Sequence, residues 1–549
     1  AGVGVRNAGM IGASAGEVFV TVDGRIENSG TITSSSQLRA TTQSQLSNSG
    51  TIAALSDVAL SAANIDNTLG TIAASGTLDS KSGALINDAG LIQATGAANI
   101  DTNGQLLTNT NSGANGGLFS QSTLTLNTGA LDNGAGVIGA LGNLSANSGA
   151  IDNTNGAISS ARETTLSGTS LDNGGGQIQA QGNLNVSLGN GTLDNTASLL
   201  RSGSTLGITA GSVVNTITKG VNQGIEGQAV QITANTVNNS SGSILADTAL
   251  VITSNGSINN SQGFISGNDV SLTDLSATKT LAITNTQGTL IAGNNLAIDS
   301  NSLSGDGNVL SLGDLSAKLD ADFTNTGTVQ ANGNATVETK GTLSNQATLT
   351  AGNTLTLKAA TLANQANGAI NARNLQLFAT APNTFTNRGL IDGQDVFIQT
   401  ITLNNLGTGR IFGDHIALGA TTINNEKEAN TAPVIAARDR LDLGASTINN
   451  KGGALLFSLG DLAIGGSLDA NFFATGQADT LENNGATIEA IGNLDLAVKD
   501  IKNLNANFST QTVEVSRQAI TEYRGDGSTN VYLAGTPGLS FPTQDRATN

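Results

Sequence analysis

The stretch that decides the fold is Leu171-Asp172-Asn173-Gly174-Gly175-Gly176-Gln177-Ile178-Gln179-Ala180-Gln181-Gly182-Asn183-Leu184-Asn185-Val186. A Leu-Asp-Asn corner leads into a glycine-rich turn, a short alternating strand (Gln177 to Ala180), a second turn and a second alternating strand (Leu184 to Val186). Variants of this phrase recur along the chain, beginning at Leu131, Ile151, Ile448 and Leu481. The corner asparagines stand at Asn28, Asn48, Asn67, Asn87, Asn109, Asn133, Asn153, Asn173, Asn195 and Asn215, in steps of 20, 19, 20, 22, 24, 20, 20, 22 and 20. The series continues through Asn238, Asn260 and Asn285 and resumes at Asn325, Asn345, Asn364, Asn387, Asn405, Asn425 and Asn450. A period near 20 residues is the mark of a solenoid.

The apolar residues within each period identify which solenoid. Thr123-Leu124-Thr125-Leu126-Asn127 and Thr354-Leu355-Thr356-Leu357-Lys358 alternate strictly, which sends one set of side chains inward and the other to water. A leucine-rich horseshoe would need leucines at fixed offsets followed by a helical return, and none is present. Two or three short strands with their corners consume about 20 residues, so the sequence predicts an all-β, right-handed parallel β-helix. An isolated coil buries too little apolar surface to offset the entropy of ordering it, so each must be held by its neighbours. About 25 coils at roughly 4.8 Å each predict an elongated rod about 120 Å long.

The recurrent asparagines, among them Asn133, Asn153, Asn173, Asn195, Asn345, Asn364, Asn425 and Asn450, admit two readings. One is a cation- or glycan-binding row, the other a structural ladder. The ladder is favoured because the amides recur at nearly every corner, tolerate left-handed backbone there and can bond from coil to coil. Asp132, Asp152, Asp172 and Asp194 are expected to shape turns rather than bind metal.

Composition narrows the function. Gly (70 residues) and polar turn formers disfavour helix, while 38% apolar residues in register disfavour disorder. A net charge of −18 with 13 Phe, 2 Tyr and no Trp argues against nucleic acid as a partner. No apolar run is long enough to span a membrane, so stable membrane insertion is not expected. No signal stretch opens the chain, which reads as an internal stretch of a longer protein. The absence of cysteine suits export of an unfolded chain equally well as chance in a biased composition.

Three places depart from the rhythm. Leu310 to Asn325 and Phe457 to Asn483 each suggest an added strand or outward loop, the second lying in a 33-residue gap between corner asparagines, although plain variation in coil length also accounts for them. Glu426 to Pro433 is a smaller polar insertion. After about Ser509 the repeat stops, dividing the chain into a β-helix over 1–509 and a capping and exit segment over 510–549. Within that segment Arg524-Gly525-Asp526 is the integrin-recognition tripeptide, on ordinary turn residues. His415, the single histidine, is expected to be a corner residue, and without clustered carboxylates or aromatic platforms the chain is expected to be neither an enzyme nor the holder of a cofactor.

The phrase from Leu171 to Val186, with its many copies over about residues 1–505, resembles the haemagglutinin repeat of the filamentous haemagglutinin family. That resemblance implies a large exoprotein of a Gram-negative bacterium, exported by two-partner secretion to the cell surface, either an adhesin or a toxin-delivery protein of contact-dependent growth inhibition. The family's amino-terminal secretion domain carries Asn-Pro-Asn motifs, and no Asn-Pro pair occurs here. The implied partners are an outer-membrane transporter and a receptor on a target cell. On this basis the chain is expected to be a monomeric shaft projecting a receptor-binding or toxin-bearing tip. The alternatives are direct binding of host or neighbouring cells, and a polysaccharide-active β-helix enzyme.

Overall fold

The computed structural model describes residues 3–506 and 508–540, and among them there is strand but no helix. Coil contacts divide the chain into one compact unit, Ala1–Leu504, and a second, Asn505–Asn549. The first is a parallel β-solenoid of about 25 turns.

One coil shows how the sequence makes it. Val137–Ala140, Leu144–Asn147 and Ala150–Asp152 are its three strands, separated by the two turns that Leu141-Gly142-Asn143 and Ser148-Gly149 provide. Each pairs in parallel with the equivalent strand one coil on: Ile138 with Ile158, Leu144 with Thr164, Ile151 with Leu171. The coils thus make three sheets sharing one interior. Alternation places Ile138, Ile158, Ile178 and Leu200 in one inward column, each at most 1% exposed, while Ser159, Gln177 and Gln179 face water. Because every coil presents the same aliphatic positions, the core is one continuous column rather than a set of domain centres.

Between Thr348 and Lys451 four strands lengthen to 17–19 residues, Thr348–Asn364, Ala369–Asn387, Arg410–Glu426 and Val434–Lys451. Corners there are turned by bulges, with register shifts between Ala351 and Thr354 and between Ala359 and Thr361.

The departures from rhythm resolve in different ways. Leu310 to Asn325 carries no added loop: Asn308–Ser311, Leu315–Leu319 and Phe323–Asn325 form an ordinary coil. The rhythm breaks one coil earlier because Gly305 stands where an asparagine would be. Its φ is +102°, and a Cβ there would lie 2.5 Å from the backbone nitrogen of Thr286. Glu426 to Pro433 is a polar corner loop clamped by two hydrogen bonds from Arg388 to the Glu428 carboxylate, at 2.7 and 2.8 Å. Phe457 to Asn483 does carry an addition, described below.

In the second unit, Glu522–Arg524 and Val531–Leu533 form an antiparallel hairpin, while Thr512 to Arg517, despite their alternation, form no strand.

Candidate functional site

The corner asparagines explain the periodicity. From Asn7 to Asn285 each side-chain amide donates through Nδ2 to Oδ1 of its counterpart one coil on, at 2.7–2.9 Å. A second run extends from Asn325 to Asn503. Asn133, Asn153, Asn173, Asn195, Asn345, Asn425 and Asn450 are 0% exposed and Asn364 is 1% exposed, so these amides line the interior. Each Nδ2 also serves a main-chain carbonyl, as Asn133 does for Ala157 at 3.3 Å.

Two expectations about these corners need correction. The ladder asparagine between Asn215 and Asn260 is Asn239, fully buried, and not Asn238, which faces outward and accepts the Ser240 N–H at 3.2 Å. The left-handed residue is also not the ladder asparagine but the one two positions later: Ala135, Asn155, Gly175, Ala197 and Ile217 have φ between 53° and 69°. The ladder asparagine needs extended backbone so that its side chain points inward; the turn is made after it. Just before it, Asp132, Asp152, Asp172 and Asp194 each accept the N–H two residues on, at 2.8–3.0 Å, and so shape the turn.

The most elaborate surface lies on the sheet formed by the second strand of each coil. Seven of the 13 Phe and the only His fall between residues 378 and 473. On this sheet the outward column runs Gln376, Phe397, Ala417, Asp442, Ala463, and the adjacent one Phe378, Gln399, Gly419, Gly444, Gly465. The added residues 466–477 fold back over these columns as a strap, with Ser467–Leu468 antiparallel to Ala474–Thr475. Its tip is set by Asp469, whose Oδ1 accepts the N–H groups of Asn471 and Phe473 at 2.8 and 2.9 Å. Glycine makes the close approach possible: a Cβ on Gly444 would lie 2.4 Å from the carbonyl carbon of Ser467.

The strap is anchored by charge and by rings. Asp442 projects outward from the sheet yet is 0% exposed, because the strap lies on it. Its carboxylate accepts from Arg440 Nε at 2.7 Å and from the Ala474 N–H at 2.8 Å, and hydrogen-bonds His415 Nε2 at 3.0 Å. Burial pushes the Asp442 carboxyl up, but the bonds from His415, Arg440 and Ala474 outweigh it and hold its pKa below the ordinary value. Phe473 packs between His415, 5.6 Å away, and the Arg440 guanidinium, 4.8 Å from the ring centre. Phe472, itself left-handed at φ 66°, reaches Phe397 at 4.2 Å, which in turn meets Phe378 edge-on at 5.6 Å. His415 is therefore not a corner residue: it follows the bulge at Gly413 and opens the sheet strand of its coil. Residue spacing alone had flagged the extra length but offered no sign of where it would land.

In the second unit Arg524-Gly525-Asp526 lies at the hairpin turn with all three residues exposed. The Ser528 N–H closes the turn onto Gly525 O at 2.9 Å, and Arg524 Nε donates to Ser528 O.

The family described as the haemagglutinin repeat matches residues 1–30, 13–107, 93–161, 142–190, 165–224, 227–287 and 272–318. Over 37 residues the chain is 60% identical to the protein named Toxin CdiA of Yersinia pestis, a match covering 7% of this chain and 1% of that protein. No solved structure matches.

Proposed function

Since the chain belongs to the haemagglutinin-repeat family, we propose that residues 1–509 are the shaft of a secreted, cell-surface exoprotein of a Gram-negative bacterium, with residues 510–549 as cap and exit segment. In this reading the whole protein leaves through an outer-membrane two-partner transporter and carries a receptor-binding or toxin-bearing tip. The protein named Toxin CdiA, similar over a short stretch, favours delivery of a toxin in contact-dependent inhibition. The observation that carries the reading is the coil-to-coil bonding of buried amides, from Asn7 to Asn285 and again from Asn325 to Asn503. Such a stack grows by addition, so length can change without a new core. Folding one coil on the last also suits an unfolded chain emerging end first.

The test shortens the shaft in the full-length exoprotein. Deleting Gly134 to Asn173, about two coils, should leave the fold intact and draw the tip in by about 10 Å. Target-cell contact should survive. Loss of contact on deleting any such pair of coils, wherever it lies, would count against a shaft.

A second reading concerns the tail: the exposed turn setting of Arg524, Gly525 and Asp526 favours a receptor contact there. Cell binding that is unchanged by Asp526→Glu would remove it.

A further inference from the structure

On the sheet formed by the second strands, charge is unevenly placed. From Thr125 and Asn127 to Val251 and Thr253, seven successive coils present no charged side chain on their second strand. Farther on, Asp299, Lys318, Glu338 and Lys358 stack in alternating sign; Lys358 pairs with Glu338 at 2.9 Å, and Asp299 is taken by Lys279. Near the start of the same sheet the arrangement differs. A groove of about 540 Å³ runs across five coils between Arg39 and Asn127, within the size range of ligand sites. Ala59 and Ser61 keep its floor low, and Arg39, Asp79, Lys81, Asn99, Asp101 and Asn127 rise around it.

The basic groups are poised rather than spent, while Asp101 Oδ1 accepts the Asn103 N–H at 2.8 Å and keeps its second oxygen open. Among the described residues neither Arg39 nor Lys81 forms an ion pair or a side-chain hydrogen bond, although Lys81 is in register with Asp101. Asn99 Nδ2 donates to Asp79 Oδ1 at 2.9 Å, which orients both planar groups and leaves the second carboxylate oxygen of Asp79 open.

We propose that this groove binds a neutral polysaccharide lying along the solenoid axis. Elimination points there. The four charges cancel, and the chain carries −18 overall, so a polyanion has no attraction to it. A peptide would need a free strand edge or apolar pockets, but the strands here are paired on both sides and Ala59 is the only apolar residue among the outward positions of the groove. What the groove offers is planar amide, carboxylate and guanidinium groups that can each engage two neighbouring hydroxyls, repeated at every coil. A sugar polymer presents hydroxyl pairs at a comparable repeat, so several weak contacts add along one chain.

The test is retention of the full chain on an array of neutral polysaccharides including mannan, laminarin and dextran, with heparin as the anionic control. The triple variant Asp79→Ala/Asn99→Ala/Asp101→Ala changes only outward side chains, and unchanged thermal unfolding confirms its fold. Retention on at least one neutral polymer is expected, at least tenfold weaker in the triple variant and unaltered in Thr165→Ala/Ser167→Ala on the same sheet. The proposal is overturned if no neutral polymer is retained, if the triple variant binds equally well, or if heparin is preferred and that preference is abolished by Arg39→Ala/Lys81→Ala. Shaft and groove fail separately, since coil deletion reads reach and the array reads retention.

Discussion

At the scale of single residues, the buried amide is what makes one coil depend on the next. Asn153 accepts from Asn133 and donates to Asn173, and all three are fully shielded from solvent. Asn153→Ala orphans a donor on one side and an acceptor on the other, each costing about 1–3 kcal/mol, so a loss of about 2–5 kcal/mol is expected in denaturant unfolding. Asn503→Ala, at the exposed end of its run, should cost far less. Ile217 tests the corner geometry. It is 65% exposed and β-branched at φ 58°, a conformation that costs an L-residue about 1–2 kcal/mol and that asparagine tolerates. Ile217→Asn should therefore raise stability by about 1 kcal/mol, read as a higher unfolding midpoint. That the ladder residues were legible and the left-handed ones were not has one cause. A repeated asparagine marks a position that matters, but not whether its side chain or its backbone is the reason. Asn238 and Asn239 show the same limit, since both satisfy the spacing and only inward direction separates them.

At the scale of elements, the strap over 466–477 is anchored by one buried carboxylate beside the Phe472 and Phe473 rings, which gives it an acid limit that the amide ladder lacks. The pKa of Asp442 is lower in the folded state than in the unfolded chain. Its contribution is thus fully present above the ordinary carboxylate value and is lost as pH falls through the depressed one, below about pH 4. The strap should come off in that range while the coils stay folded. Hydrogen exchange would show it as early loss of protection at the Ala474 amide, ahead of ladder amides such as that of Asn153. Asp442→Asn should loosen the strap at neutral pH and abolish the acid step. The extra length between Asn450 and Asn483 was visible in the spacing, yet its docking site was not. That site needs Ala417, Gly444, Gly465 and Phe397 to line up, and they come from four different coils. Likewise the irregular spacing around Leu310 pointed to a loop where one glycine had only interrupted the ladder.

At the scale of the whole solenoid, cooperativity passes between nearest neighbours, because each coil shares its core and its backbone bonds only with the coils on either side. A peptide cut out as residues 131–172, about two coils, should show no strand signal by circular dichroism, whereas removing the same length from the interior should leave the remainder folded. By itself the sequence determined the parallel β-solenoid, the period near 20 residues, the inward alternation and the line of corner asparagines. Those features repeat in every coil and are satisfied by the coil next door, so local spacing contains them. Tertiary structure alone decided where the strap lands, what His415 and Asp442 do, and which outward side chains gather into the groove between Arg39 and Asn127. Each of those depends on residues far apart in the chain meeting on one sheet, and the register that brings them together exists only once the coils have stacked.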